Sequence, residues 1–370
     1  MNKILNYITY QSFPADTANS LQTISNIKYF VRNGYEVNLY FPLRDKNSSS
    51  NLSDLQSHYS FKENVNIFGI RHPYPFGKIK RFNKLFFHLS HFLWSRKFCK
   101  QTLFTNSGNE MFFTRSDWIL YFLSKKNINI VFECHQYSKI RNYVLKKLSN
   151  KNNVKIIFLN KFIKNAFKFE LNNFLLLPSA VDLDGFETKI ETNKKPNDIV
   201  FIGTLLRFGN NRGFEFLFDS FKNLTFLNNF NLKIIGGPNS EAEKLKSFVH
   251  ESKQLNIEIM GRLNREEVIE QISNSSIGLL INPPDKHSKY FTSPLKYFEY
   301  IAGGLKVVAV DYPAHRDLPF QENIYYFREN DEDSLLSAIK NATEKEFIRI
   351  KRDSISLDQR IKKIIDFYNK

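Results

Sequence analysis

At 370 residues the chain is long enough for two domains with sizeable cores, and 42% apolar with 15% aromatic residues excludes an intrinsically disordered protein. Its two cysteines, Cys99 and Cys134, exclude a disulfide framework and a cysteine-built metal site, and fit a reducing compartment. The net charge of +16 invites an anionic partner (nucleic acid, acidic lipid or a phosphorylated substrate), with a codon bias toward lysine and asparagine as the competing explanation.

Met1 to Tyr10 is too polar for a secretory signal and reads as a first strand, and no stretch approaches the roughly 18 apolar residues of a membrane helix. These features predict a cytoplasmic protein, soluble or peripheral at the inner face of the membrane.

In chain order, residues 3–10 read as a strand, Asp16 to Tyr29 as loop and helix, Val37 to Phe41 as a second strand and Lys46 to Asp54 as a loop. Further strands are predicted near 65–70, 110–114, 128–132, 154–159 and 174–177, and helices near 80–100, 116–126, 138–149 and 161–169. The polar run Thr188 to Asn197 reads as a linker, after which the alternation restarts. Strands are expected at 198–202, 231–235, 256–260, 276–281, 306–310 and 323–326, with helices at 212–223, 240–253, 264–272, 294–302, 332–341 and 354–369. The pattern predicts an α/β protein with two doubly wound Rossmann-like domains facing a central cleft. The first domain would cover 1–187, the linker 188–197 and the second domain 198–350, with a C-terminal helix in 351–370 packing back on the first domain.

The most informative stretch runs from Phe291 to Asp311. Ser293 is a suitable N-cap and Pro294 a suitable first helical residue, which leaves the amides of Leu295, Lys296 and Tyr297 at a positive helix end that favours anions. Glu299 follows Leu295 by one turn on the same face, where a ribose would lie if a nucleotide phosphate sat on the helix end. Gly303 and Gly304 stop the helix before the apolar strand Lys306 to Val310.

Earlier, Ile199 to Ile202 runs into a loop containing Gly203, Arg207 and Arg212. Such a strand-to-helix loop lies at the carboxyl edge of a parallel sheet, and two arginines there suit a diphosphate; the other reading is a pair of solvated surface arginines. Gly236 and Gly261 end two more strands, as ordinary turns or as points where backbone approaches a ligand. Residues 78–100 carry seven basic residues and no acidic one. Phe82, Leu85, His88, Leu89 and Phe92 recur there at helical spacing, which reads either as a basic amphipathic helix for an anionic membrane or as a core helix with a solvated face. Phosphate-loop, dinucleotide, zinc-protease and zinc-finger patterns are missing from the sequence.

Together these segments resemble the nucleotide-binding half of retaining GT-B glycosyltransferases, glycosyltransferase family 4 of bacterial polysaccharide type in particular. The matching segments are Phe201-Ile-Gly-Thr with Asn211-Arg-Gly, Ile234-Ile-Gly-Gly-Pro, Ile259-Met-Gly-Arg-Leu and Ser293-Pro-Leu-Lys-Tyr-Phe-Glu-Tyr-Ile-Ala-Gly-Gly. Looser matches are Asn33-Gly-Tyr-Glu-Val, Phe132-Glu-Cys-His and Leu177-Pro-Ser-Ala-Val-Asp-Leu-Asp-Gly-Phe. The resemblance implies a nucleotide-sugar donor as co-substrate, no other cofactor and no metal, and a saccharide or lipid-linked saccharide acceptor, with no nucleic acid.

It also implies roles for residues. Glu299 falls on the second glutamate of the family's Glu-x7-Glu pattern, which binds ribose, and Arg212 on the basic residue that contacts the donor diphosphate. Gly203, Thr204, Gly236, Gly261, Leu263, Ser293, Pro294, Leu295 and Lys296 fall on donor-binding segments. His135 falls where the family carries a histidine that reaches donor sugar or acceptor. Glu133, two residues earlier, would orient that ring or line the cleft, and Asp16 and Arg115 are acceptor-side candidates. Three departures stand out: Phe291 replaces the first glutamate, Thr204 follows Gly203 where an arginine is frequent, leaving Arg207 to carry that charge, and Pro14-Ala15-Asp16 replaces a glycine pair. Asp182-Leu-Asp184 sits at the expected domain junction, which argues against a metal role. Alternative readings are a sugar-nucleotide epimerase of the same architecture, and a non-catalytic binder of anionic ligands or membranes.

Overall fold

The computed structural model describes residues 3–74, 83–102, 109–186, 194–207, 210–252 and 256–370, with backbone alone described at 83, 84, 207, 210 and 211. The chain forms two compact units, Met1–Leu177 with Leu357–Lys370, and Pro178–Ser356. The division falls ahead of the segment 188–197 read as a linker, of which 188–193 lie outside the described residues.

Unit 1 is built on seven parallel strands: β1 (Lys3–Ile8), β2 (Tyr35–Leu43), β3 (Asn66–Arg71), β4 (Glu110–Thr114), β5 (Ile130–Cys134), β6 (Val154–Phe158) and β7 (Phe174–Leu176). Their order is β3-β2-β1-β4-β5-β6-β7. β5 is buried along its whole length, as a central parallel strand covered on both faces must be. The connecting helices are α1 (Ala18–Arg32), α2 (Leu52–Tyr59), α3 (Asn83–Gln101), α4 (Asp117–Ser124), α5 (Lys139–Leu148) and α6 (Lys161–Asn165). The sequence reading missed α2, because it buries only Leu55 and so shows no apolar period.

Unit 2 begins with β8 (Asp198–Ile202), the short antiparallel pair β9 (Leu206–Arg207) and β10 (Asn210–Asn211), and helix α7 (Phe214–Asn223). It continues through β11 (Asn231–Ile235), α8 (Asn239–Glu251), β12 (Ile257–Gly261), α9 (Arg265–Asn274) and β13 (Ile277–Leu280). Then come α10 (Lys286–Tyr290), α11 (Leu295–Ala302), β14 (Lys306–Val310), α12 (Pro313–Arg316), β15 (Ile324–Phe327) and α13 (Glu332–Glu344). Six strands form a second parallel sheet in the order β12-β11-β8-β13-β14-β15. β8 alternates between two cores, Ile199 and Phe201 packing with α7 and α13, Val200 and Ile202 with α9 and α11. Each unit is a doubly wound Rossmann-like layer structure, as the alternation of elements predicts.

The C-terminal helix α14 (Leu357–Asn369) returns to unit 1 and packs on α1. Asn33 Nδ2 donates to Asp358 at 2.9 Å, Lys155 Nζ donates to the Phe367 and Tyr368 carbonyls at 2.8 and 2.7 Å, and Tyr368 Oη donates to the Glu110 carbonyl at 2.6 Å.

Candidate active site

In an open parallel sheet the ligand crevice lies beyond the carboxyl ends of the two strands between which the winding reverses. In unit 2 those strands are β8 and β13: the chain leaves β8 toward β11 and β12, then returns to β13 and continues to β14 and β15. The loops following β8 and β13 carry Thr204 and Asn282, and both bond the same guanidinium. Arg212 Nη1 donates to Asn282 Oδ1 at 2.6 Å and Nη2 to Thr204 Oγ1 at 2.8 Å, while Nε donates to the Thr204 carbonyl. Arg212 is only 9% exposed, so its charge is fixed in place.

Asn282 is itself oriented. His315 is fully buried, with Nδ1 2.7 Å from the Val310 carbonyl, so that nitrogen carries the proton and Nε2 is the acceptor. Nε2 faces Asn282 Nδ2 at 3.5 Å, which turns the amide oxygen toward Arg212, and Tyr312 Oη donates to the Asn282 carbonyl at 3.2 Å. Neither Asn282 nor His315 carries a local sequence signal for this pairing, since the partners are brought together by different loops.

α11 supplies the second half of the site. Tyr300 anchors it: its hydroxyl accepts from the Ile202 amide at 2.9 Å and donates to the Leu279 carbonyl at 3.2 Å, joining the helix to the ends of β8 and β13. A Cβ on Gly278 would stand 2.3 Å from the Tyr300 ring, so glycine on β13 makes room for this anchor. The anchored helix places Lys296 Nζ 4.0 Å from the centre of the Phe201 ring and 3.4 Å from the Ile281 carbonyl. The Arg212 guanidinium carbon is 6.0 Å from the same ring, so two cations converge at the switch point.

The helix start differs from the expectation. α11 begins at Leu295 with Pro294 at the cap position, which makes no side-chain cap bond. Ser293 is not the cap: its Oγ accepts from the Ser179 amide and its carbonyl accepts from Ser179 Oγ, both at 2.9 Å. A tertiary partner thus captures the hydroxyl that local reasoning assigned to the helix start.

Glu299 lies one turn on, paired with Arg265, which also donates to the Asp182 carbonyl at 3.3 Å. Arg265 went unnoticed in the sequence, although the Asn264–Glu267 capping box that fixes it at the first position of α9 is legible there. Phe291 is buried at the end of α10 with Lys286 Nζ 5.9 Å from its ring. Asp182 Oδ1 accepts from the Asp184 amide at 3.0 Å, a local turn.

Of the strand-end glycines, Gly203 has φ +133° with nothing within 4 Å of an added Cβ, and so leaves open space. Gly236 answers a different demand: its Cβ would stand 1.7 Å from the Gly203 carbonyl oxygen, so neighbouring backbone explains this glycine. Gly261 ends β12 at φ +69°, and Leu263 is half-buried against the α9–α11 core. Arg207 lies on β9, and its side chain is outside the described residues.

In unit 1 the winding reverses between β1 and β4. Arg115 follows β4, Asp16 lies in the loop after β1, and Glu133 and His135 lie at the end of β5. Glu133 is fully buried: Arg115 Nε donates to it at 2.6 Å, Arg360 of α14 reaches its other oxygen, and His135 Nε2 is 3.0 Å away. Arg115 Nη1 also donates to Asn19 Oδ1 at 2.8 Å. Burial opposes the charged form of Glu133, but Arg115 and Arg360 outweigh it and hold the carboxyl well below the usual range. Burial, then the charge of Arg115, pushes His135 down to about 4 despite the pull of Glu133. The ring is neutral at neutral pH, with Nε2 beside the carboxylate. Asp16 is half-exposed and pairs with His58 at 3.0 Å.

Residues 196–345 match the family model described as glycosyl transferases group 1. No curated protein sequence matches the chain. Among solved structures, sucrose-phosphate synthase from Thermosynechococcus elongatus is similar with 13% identity and a TM-score of 0.69, covering 99% of this chain and 98% of that one. A glycosyltransferase from Rickettsia africae gives 16% identity and a TM-score of 0.66, covering 99% and 97%. An E. coli structure described as trehalose-6-phosphate bound with UDP-2-fluoro glucose gives 12% and 0.64, covering 99% of both chains. At these identities the likeness is one of fold: the chain has the GT-B architecture. With the match of its second unit, that fold supports a glycosyltransferase.

Proposed function

We propose that the protein is a hexosyl-type glycosyltransferase that moves a sugar from a nucleotide-sugar donor to a saccharide or lipid-linked saccharide acceptor, with retention, in surface polysaccharide synthesis. The observation that carries this reading is the convergence of Arg212, Lys296 and the start of α11 at the switch point of the unit that matches the group 1 glycosyl transferases. These groups neutralise a leaving diphosphate, with Arg207 as a further donor, and Glu299 binds the ribose once it exchanges Arg265 for a hydroxyl. The bond from the anomeric carbon to the phosphate oxygen breaks. The acceptor oxygen bonds that carbon on the same face, and its proton passes to an oxygen of the departing diphosphate. His135, a neutral ring, orients a sugar hydroxyl, and no metal is required for these steps.

The test incubates the full chain with a panel of sugar nucleotides and follows release of nucleoside diphosphate with and without saccharide acceptors. Acceptor-stimulated release from one donor class is expected. An isomerised sugar nucleotide without release would replace this reading with epimerisation.

A further inference from the structure

Unit 1 lays α3, α4 and α5 side by side, α3 packing on α4 and α4 on α5. Their inner residues, among them Trp94 and Phe98 of α3 and Leu120 of α4, enter the core. The outer side of α3 is built differently from a solvated face. Leu85, Leu89, Phe92 and Arg96 fall at spacings of four, three and four and share one stripe, and Leu85 and Leu89 are 65% and 47% exposed.

The apolar strip continues across the layer. Phe92 meets the half-buried rings of Trp118 and Phe122 at 4.9 and 5.5 Å, and Phe122 meets Tyr121 at 5.4 Å. On α5, Tyr143 is 48% exposed. Lysines lie over these tyrosine rings, Lys125 Nζ 4.2 Å from the Tyr121 centroid and Lys147 Nζ 4.9 Å from that of Tyr143. Acidic residues are nearly missing: the three helices carry one, Asp117, and Arg141 holds it at 2.6 Å.

Soluble surfaces normally mix charge signs and scatter their apolar residues. Here, among the described residues of the three helices, an apolar and aromatic strip is fringed by cations, with Asp117 held by Arg141. We propose that this three-helix face docks on the surface of an anionic lipid bilayer, Leu85 and Leu89 entering the acyl–headgroup boundary and the tyrosines and lysines lying at headgroup level. Charge complementarity selects anionic lipid, and the exposed leucines distinguish this surface from one built for a polynucleotide, whose phosphates gain nothing from them. The sequence reading placed such contact within 78–100, of which 78–82 lie outside the described residues; the surface argued here extends to α4 and α5. It stands independently of the transfer reading, since vesicle binding requires neither donor nor acceptor.

The test is flotation of the full-length protein with vesicles of phosphatidylcholine alone or mixed with phosphatidylglycerol, at physiological ionic strength. The wild-type chain should float with the anionic vesicles only. Leu85→Glu with Leu89→Glu, and separately Lys125→Glu with Lys147→Glu, should lower bound protein about tenfold or more with unchanged melting temperature, all four residues being at the surface. A control carrying the same charge change on unit 2, Lys244→Glu with Lys340→Glu, should float as the wild type does. Failure of the wild type to float, indifference to the leucine pair, or equal loss in the control, which would assign binding to net charge, would each overturn the proposal. Capture by polynucleotide that is blind to the leucine pair, without flotation, would overturn it in favour of nucleic acid.

Discussion

Arg212 and Asn282, seventy residues apart in sequence, meet at 2.6 Å where the two central strands of unit 2 end. The pair fixes a buried guanidinium at the switch point, and the orientation of its amide is set from behind by His315. Asn282→Ala would leave Arg212 without one of its acceptors and free it to swing out of register. The affinity for a nucleoside diphosphate is expected to fall about tenfold, measured by calorimetric titration. Unchanged affinity would show that Asn282 does not position the arginine.

Glu299 is paired with Arg265 in the structure and is proposed to take a ribose hydroxyl in its place. Glu299→Ala should therefore weaken a ribonucleotide more than its deoxy counterpart, by about 1 kcal/mol or more between the two in parallel titrations. Equal losses would leave Glu299 a structural partner of Arg265 alone.

The buried Glu133 ties the C-terminal helix to the sheet. Arg360→Ala removes one of its two guanidiniums and leaves a poorly compensated charge in the core, at a cost of about 3–5 kcal/mol in urea unfolding. Glu133→Gln placed on that background should recover part of the loss. If Arg360→Ala costs no more than an ordinary surface change, the ion cluster does not hold α14.

Two histidines make stability depend on pH. Burial pushes His91, bonded through Nε2 to Ser116 Oγ at 2.6 Å, down to about 3, and His135 lies at about 4, from an ordinary 6.5. Below pH 6.5 the unfolded chain binds protons that the native state refuses, so stability is lost as pH falls from 6.5 toward 4. Each histidine contributes at most about 1.4 kcal/mol per pH unit within that window. Unfolding midpoints between pH 7 and about 5 avoid the carboxylate range, and His91→Gln should flatten the slope there. A slope unaffected by the substitution would place the titration elsewhere.

The winding of both units was legible because every strand that lines the switch points is short, apolar and bounded by loops. β8 and β14 each alternate two apolar faces, and α11 announces itself through Pro294, its apolar period and Gly303. What escaped was contact at a distance. Ser293 is a good cap by every local rule, yet Ser179, 114 residues away, takes its hydroxyl. Nothing local marks Tyr300, and only the registered ends of β8 and β13 reveal it as the pin that anchors the helix carrying Lys296. Asn282 and His315 follow strands of no special pattern, so the amide orientation that supports Arg212 is a property of the assembled loops. On α3 the apolar period was visible, but the core is filled by Trp94 and Phe98 on the opposite side.

Arg212, Lys296 and the start of α11 are proposed to form a site for the diphosphate of a nucleotide. Calorimetric titration of the full chain with UDP, GDP, ADP and CDP, repeated on Lys296→Met, tests it most directly, because Lys296 is partly exposed and its loss spares the buried Arg212 network. Saturable binding of at least one nucleoside diphosphate is expected, with a loss of about tenfold or more in Lys296→Met at unchanged melting temperature. No binding by any of the four, or binding indifferent to Lys296, would contradict it.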